Sequence, residues 1–458
     1  MKILRYLIRL VPGLLFVFSG FVKAVDPLGS AYKFSDYFSA FHLGFLEPVS
    51  LVLAFCLSSL ELVIGVSLII GYCRRLTAWA LLVFMSFFTV LTFVLALTNP
   101  VSDCGCFGDA VILSNWETFF KNIILLPFVI FLFIDRKRET GNVFFIHQAY
   151  GVATVFLLTV LFSWYSYRHL PVIDFRPFSV GTSIPESMEL PPDAPVDQYE
   201  TRLFYRNVAS GKVEEFTLEN YPRDTTEWKF DDAVSVLISS GYEPPIHDFA
   251  ILDANGTSLT ESILESPDPV LLMISYNLDG ARKEDVQKAD AWADLAAFAG
   301  DLSFYAITAS TAQLVDELRN DAGIDLEFCA ADEIMLKTVI RSNPGFVLIR
   351  NGIIEGKWAG RDFPAVGEVN PSWPEELSRI NDELTRFYAG ESDSENIFPE
   401  MAPAPIEAGA SLYGKLLTMR EGTGNATVLI MAGLCLILLI MLSVFNRKKP
   451  DSLISKGS

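Results

Sequence analysis

The chain has 458 residues, 51% of them apolar, and a formal net charge of −20. That length allows two or three domains. The charge is concentrated, because residues 171–445 hold 19 Lys/Arg against 45 Asp/Glu whereas residues 1–170 hold 12 against 9. An acidic segment of that kind has no electrostatic attraction for nucleic acid or for an anionic bilayer surface, so nucleic-acid binding is excluded and solubility is the simpler role.

In chain order, apolar runs with almost no charge occupy Leu10–Phe21, Val49–Gly71, Leu76–Leu97, Ile123–Ile134, Val152–Phe162 and, much later, Val428–Phe445. A membrane-spanning helix needs about 20 such residues. With their flanks the runs predict spans over residues 5–25, 48–71, 76–98, 117–134, 146–166 and 426–446. The fourth needs Trp116 to Asn122 to complete it and carries Pro127. Residues 19–26 make a poor cleavage site, so the first run is read as a helix and not as a removable signal. Lys2, Arg5 and Arg9, then Arg74 and Arg75, then Arg136 to Arg138, then Arg447 to Lys449 all fall on one side if both termini are cytoplasmic. The expected location is a bacterial inner membrane, with residues from about 168 to 425 outside the cytoplasm and 447–458 as a cytoplasmic tail. Between the first two spans, Phe34, Tyr37, Phe38, Phe41 and Phe45 repeat at helical spacing and read as a helix lying in the interface.

Residues 171–244 read as a Pro-rich acidic linker and a small β-rich element, with strand-like stretches at Arg202–Tyr205, Val213–Leu218 and Ala233–Ile238. From 245 to 390 strands and helices alternate. Pro269–Tyr276 is a buried strand, Lys283–Ala299 a helix with Val286, Ala289, Trp292 and Leu295 on one face, and Asn351-Gly352 a hairpin turn between apolar strands. Residues 391–425 read as an acidic, Pro/Ala-rich tether to the last helix.

The β-α-β-α-β-β-α order, with Asn343-Pro344-Gly345 before a hairpin and the lead-in Ile246-His-Asp-Phe-Ala-Ile-Leu-Asp-Ala-Asn-Gly256, resembles membrane-tethered TlpA-like thioredoxins. The resemblance implies a cis Pro344. It also implies Cys-x-x-Cys where this chain has Ser275-Tyr-Asn-Leu-Asp-Gly-Ala281, so the domain lacks that thiol pair. The transmembrane domain, residues 1–170, resembles over about residues 1–140 the DoxX-like family and, within it, the methylamine-utilisation protein MauE. The resemblance rests on Gly13-Leu-Leu-Phe-Val-Phe-Ser-Gly-Phe-Val-Lys-Ala-Val-Asp-Pro27, on Glu61 with Gly65 and Gly71, and above all on Asp103-Cys-Gly-Cys-Phe-Gly108. It implies service in disulfide formation or maturation of periplasmic proteins. Nothing in the residues points to methylamine itself. The expected fold is therefore an α-helical membrane bundle, five helices plus one at the C-terminus, with an α/β thioredoxin-like soluble domain.

Of the six cysteines, Cys73, Cys329 and Cys435 read as packing residues. Cys104 and Cys106 lie on an outer loop. A ring closed across one residue forces strained geometry, which makes the bond easy to pass on, and Gly105 supplies the backbone freedom. The same pair also reads as a loop staple, as two thiols that stay reduced, or as half a metal site. No His lies near enough in sequence to complete a metal site, and none is expected. Cys56, about 12 Å below the outer interface at ~1.5 Å per residue, is a candidate relay. Glu61 sits mid-membrane, where an ionised carboxylate costs about 2.5–3.5 kcal/mol, and is a candidate proton or quinone site. Two functions follow. One is a thiol–disulfide oxidoreductase that serves an extracytoplasmic protein client and passes electrons to a quinone. The other is a non-enzymatic membrane-anchored assembly or binding protein. The outer Cys-x-Cys favours the first, and the missing Cys-x-x-Cys favours the second.

Overall fold

The computed structural model describes residues 2–101, 103–137, 145–191, 193–195, 198–239 and 241–369, scattered positions from 372 to 386, and residues 411–419. The expected sixth span, 426–446, and the cytoplasmic tail lie outside the described residues. The chain forms two compact units, residues 182–249 and the remainder.

In the larger unit, α1 (Lys2–Val25) runs into α2 (Pro27–Ala40), whose first turn is capped by the Asp26 carboxylate accepting from Gly29 N at 2.9 Å. Then come α3 (Ser50–Ile70), α4 (Arg74–Thr98), α5 (Asn115–Asp135) and α6 (Phe145–Arg168). Five segments, Ile3–Val25, Gly44–Ile70, Arg74–Thr98, Asn115–Asp135 and Ile146–Arg168, are long and apolar enough to cross a membrane. They agree with the spans expected within residues 1–170. The expected aromatic helix between the first two spans is α2. Phe16, Ile64, Leu68, Leu81, Met85 and Leu125 form the buried centre, while Val83, Phe87, Val90 and Ile124 face outward.

Backbone approach sets the crossing of α1 on α3. A Cβ on Gly20 would lie 2.7 Å from Leu62 N, and one on Gly65 would lie 2.7 Å from Val17 N. Small residues at such a crossing let helices pack backbone to backbone where lipid supplies no hydrophobic drive. Gly65→Leu is expected to part the two helices and to cost about 1–3 kcal/mol as overpacking, read as a lower midpoint for thermal unfolding in detergent. At one end of the bundle Arg5 pairs with Asp135 at 3.6 Å and Arg9 donates to Leu68 O at 2.9 Å. The loop between α4 and α5 lies at the other end.

Residues 182–249 contain a short helix, α7 (Ile184–Met188), and an antiparallel sheet of β1 (Gln198–Asn207), β2 (Val213–Thr217) and β3 (Trp228–Ser239), with β1 in the middle. The three strand-like stretches of the sequence are these strands, each somewhat longer or shorter than read.

The remainder of the larger unit is β4 (Ile251–Leu252), α8 (Thr260–Leu264), β5 (Val270–Ser275), α9 (Lys283–Ala299), β6 (Ser303–Thr308), α10 (Ala312–Ala322), β7 (Phe328–Ala331), α11 (Glu333–Val339), β8 (Gly345–Arg350), β9 (Ile353–Ala359) and α12 (Val366–Val369). Its sheet has the order β4-β7-β6-β5-β8-β9. β5, β6 and β7 are parallel, and β8 runs antiparallel to β5. With helices between the parallel strands and a closing hairpin, this is the thioredoxin-like arrangement. Asn343–Pro344 is cis, as the resemblance implied, and Asn351 and Gly352 take the positive φ that the hairpin turn demands. Every residue of β5 is buried, and Trp292 on α9 closes the core, donating to Pro364 O at 2.9 Å. Leu412 and Leu416, inside the segment read as a tether, are also buried in this core. Two leucines four apart carry too little pattern to announce that.

The domain meets the bundle through Arg341, just before the cis proline. Its guanidinium donates to Asp26 at 2.9 Å and to Asp109 at 3.1 Å, and lies over the Tyr32 ring of α2 at 5.3 Å. Residues 171–181 run along the same side. Arg176 is bonded to Asp174 at 2.8 Å and to Thr338 O at 2.8 Å, and Lys357 on β9 donates to Asp174 at 2.6 Å.

Candidate functional site

The loop joining α4 to α5 carries Asp103-Cys104-Gly105-Cys106-Phe107. Gly105 turns it at φ +63°, a conformation that costs a side chain roughly 1–2 kcal/mol. Short bonds then fix each residue of the turn. Asp103 accepts from Gly105 N at 2.8 Å and pairs with Lys33 of α2 at 2.6 Å. Tyr37 donates its hydroxyl to Cys104 O at 2.6 Å, and Ser19 donates to Cys106 O at 2.7 Å. The Lys23 ammonium donates to that same Cys106 carbonyl.

The two sulfurs are free thiols with Sγ atoms 2.9 Å apart. Closing them to a disulfide of ~2.05 Å needs a movement of roughly 0.9 Å. Cys104 is buried and Cys106 half-buried. Their acidities diverge. The hydrogen bond shared with Cys104 stabilises a Cys106 thiolate and, against burial, the Lys121 and Lys23 ammonium groups add to it, so the Cys106 thiol is pushed down. The same hydrogen bond, burial and the neighbouring thiolate push Cys104 up. Thiolate character decides which sulfur attacks. Burial keeps the Tyr37 phenol protonated and available as a donor.

Beneath the pair, Lys23 on α1 and Glu61 on α3 form a buried ion pair at 3.0 Å, with Ser19 Oγ accepting from Lys23 at 2.7 Å. This answers where the mid-membrane carboxylate finds its partner. Charges taken out of water persist only when paired and hydrogen-bonded. The α1–α3 crossing at Gly20 and Gly65 is what brings Lys23 and Glu61 within reach.

A cavity of about 290 Å³ opens under the loop. Cys104, Cys106, Lys23 and Glu61 reach its wall, Lys121 and Asn122 reach it from α5, Ser19, Ser30, Lys33 and Tyr37 add polar groups, and most of the remainder is apolar, with Phe34, Phe38, Phe84 and Phe88 prominent. Phe41, Leu43 and Phe87 line it and are themselves exposed on the outer face of the bundle, so its mouth faces the lipid side. On the other side of the loop lies a crevice of only about 20 Å³, lined by Gly105 and Asp109 and by Pro171 to Arg176.

Of the residues singled out in the sequence, Cys104, Cys106 and Glu61 converge on this cavity. Cys56 is exposed on the outward face of α3 and is not among the residues lining it. Ser19, Lys33, Tyr37, Lys121 and Asp103 were not among the site residues expected from the sequence, although Ser19, Tyr37 and Asp103 lie in patterns that stand out there. The aromatic spacing of α2 was their nearest signal. Among the described residues no three His, Cys, Asp or Glu side chains gather as a metal site. In the soluble domain, the place of a Cys-x-x-Cys is filled by polar contacts, Ser275 to Asn343 at 2.7 Å and Asn343 to Asn277 O at 2.6 Å.

Comparison with known proteins agrees with this division. Residues 1–135 match the family model of methylamine utilisation protein MauE, and residues 199–240 match a domain of unknown function, DUF8463. Protein TlpB of Flavobacterium psychrophilum is 26% identical over 164 residues, which is 34% of this chain and 44% of that relative, so the chain spans less than half of its length. A solution structure of a candidate protein disulfide isomerase from Bacteroides thetaiotaomicron overlaps 32% of this chain and 91% of its own, at 16% identity and a TM-score of 0.21. The strand order and the cis proline, not that overlap, carry the fold assignment. The chain joins a MauE-like membrane domain to a thioredoxin-like domain.

Proposed function

We propose that this protein is a membrane thiol–disulfide exchange factor in which Cys104 and Cys106 cycle between dithiol and disulfide. The observation that supports this most is the pair itself: two thiols 2.9 Å apart, of opposed acidity, on a loop fixed to α1 and α2 above a cavity open to lipid. A client thiolate attacks Cys106 of the disulfide, the S–S bond breaks, and Cys104 leaves and takes up a proton. A second client thiolate attacks the client sulfur of the mixed disulfide, and Cys106 leaves as the more stable thiolate and then takes up the second proton. The client loses two electrons and two protons, and the pair gains them.

The pair must then discharge two electrons and two protons to a lipid-soluble acceptor. A quinone is the class that suits the cavity. About 290 Å³ is close to the lower end of small-molecule sites, ~300–1,000 Å³. Phe rings can stack on a quinone ring, and Lys121 supplies a donor for its oxygen. Two S–H bonds are lost, one S–S bond forms, and the quinone leaves as quinol. The cation clusters favour a cytoplasmic location for the Arg5–Arg136 end, and on that orientation the cysteine loop and the thioredoxin-like domain face extracytoplasmic clients. The test uses the full chain in nanodiscs, reduced and then given decylubiquinone. The pair is expected to oxidise with one quinol formed per disulfide, and Leu91→Trp, which fills the cavity wall, is expected to slow this about tenfold or more. A reduced pair that ignores the quinone overturns the acceptor reading.

A second reading has one observation in its favour. The site where a thioredoxin holds its cysteines carries none here and is closed by Asn343. On that reading the protein is a non-enzymatic assembly factor, and the cysteine pair only braces its loop.

A further inference from the structure

Whichever acceptor serves the pair, both cysteines line the cavity that opens to lipid, and neither lines the crevice on the opposite side of the loop. That crevice, at about 20 Å³, has room for about one water molecule. A thiol on a folded client cannot enter it. Beside it, six charged side chains from four parts of the chain pair with one another. They are Asp26 ahead of α2, Asp109 on the cysteine loop, Asp174 and Arg176 on the segment after α6, and Arg341 and Lys357 on the thioredoxin-like domain. Three are acids and three are bases. Arg341 is itself buried and donates to Lys337 O within its own domain, but both of its carboxylate partners belong to the bundle, so its charge is paired when the domain is docked. Lys337 and Arg341 also lie over the Tyr32 ring, and the cis Pro344 loop follows directly.

We propose that this ionic cluster is a latch. The thioredoxin-like domain holds its cis-proline face against α2 and the cysteine loop, and the Cys104–Cys106 pair meets a protein client only when Arg341 lets go of Asp26 and Asp109. The inference rests on the reading of the pair as the exchange site, but the latch can be measured without it. A domain that has lost its own cysteines then keeps a task for the surface around its cis proline. That surface recognises the bundle of its own chain, and a client must displace it.

The experiment follows alkylation of Cys104 and Cys106 in the full-length reduced protein in nanodiscs, with two reagents. N-ethylmaleimide is small and apolar enough to arrive through the lipid-side cavity, whereas a maleimide on a long polyethylene glycol chain must come from water. Arg341→Ala is expected to raise the polyethylene glycol rate about tenfold or more, matching loss of roughly 1.4 kcal/mol or more of latch stability, and to leave the N-ethylmaleimide rate within about twofold. Arg341→Lys, which keeps the charge but loses the forked geometry, is expected to fall between. Asp109→Asn removes one partner from the bundle side and is expected to move the same rate in the same direction by less. An unchanged polyethylene glycol rate in both Arg341→Ala and Asp109→Asn, with the N-ethylmaleimide rate preserved as evidence of a folded bundle, overturns the latch. Equal rises with both reagents also overturn it, because they signal general loosening. Alkylation needs no turnover, so a latch that opens on a pair that never exchanges disulfides separates failure of the exchange reading from failure of this one.

Discussion

Cys104→Ser is expected to accumulate a mixed disulfide through Cys106 when the full-length protein meets oxidised glutathione, whereas Cys106→Ser is expected to form almost none. The asymmetry comes from the loop. Cys106 is the half-buried sulfur whose thiolate is stabilised by its neighbour and by Lys121 and Lys23, and Cys104 is the buried sulfur kept as a thiol by its bond to Cys106 and by burial. With Cys104 gone, nothing resolves the bond on Cys106. Both variants are expected to lose disulfide transfer to a dithiol peptide down to the uncatalysed rate, because the two sulfurs act as a unit. In the wild type the sign of the pH dependence follows from the same shift. A thiol pushed below its ordinary value is already thiolate at lower pH, so alkylation of Cys106 rises with pH earlier than that of a free cysteine. Lys121→Met moves the rise to higher pH. Mass spectrometry of the trapped adducts and a pH series of alkylation rates read these outcomes. Equal trapping by the two serine variants would exclude Cys106 as the attacking sulfur.

The second large effect lies in the ion pair. Glu61→Gln or Lys23→Met leaves a buried charge without its counterpart at a site where both side chains are almost wholly enclosed. Breaking such a pair costs about 3–5 kcal/mol, whereas replacing both partners with apolar residues is often neutral. Each single variant is therefore expected to lower the thermal midpoint sharply, and Lys23→Leu with Glu61→Leu to regain most of it. The double variant still lacks the ammonium that holds the Cys106 carbonyl, so its disulfide transfer stays impaired while its stability returns. If transfer returned with stability, Lys23 would be a structural residue alone.

Periodicity and punctuation made much of this fold legible. The spans within residues 1–170, the amphipathic α9 and the Asn351-Gly352 hairpin follow from local patterns, and the resemblance to thioredoxins implied the cis proline. Part of the site was equally open, because Asp103-Cys-Gly-Cys-Phe-Gly108 stands out as a motif. What stayed hidden depends on partners far apart in sequence. Lys23 reads as a snorkelling cation until the glycine crossing sets it against Glu61, 38 residues away. Arg341 sits 315 residues from Asp26 and 232 from Asp109, and no local spacing announces a bond of that range. The aromatic stripe of α2 gave the helix but not Tyr37 or Lys33, since helical spacing alone does not say which face meets the cysteine loop.

The chain between α6 and β4 passes through the whole 182–249 unit, yet its first part is already fastened to the thioredoxin-like domain, where Gly181 N donates to Ile354 O of β9 at 2.7 Å. Arg341 therefore meets Asp26 and Asp109 as an intramolecular partner. Partners on one chain meet at an effective concentration set by their connection and not by the bulk, so an interface too weak to join separate chains at cellular levels stays closed within one. A free protein at micromolar concentration competes poorly against such a neighbour through one matching side chain. It prevails by covering a wide surface or by being gathered at the membrane first. The covalent join thus sets a threshold on which proteins reach the cysteine pair, by local crowding as much as by chemical recognition.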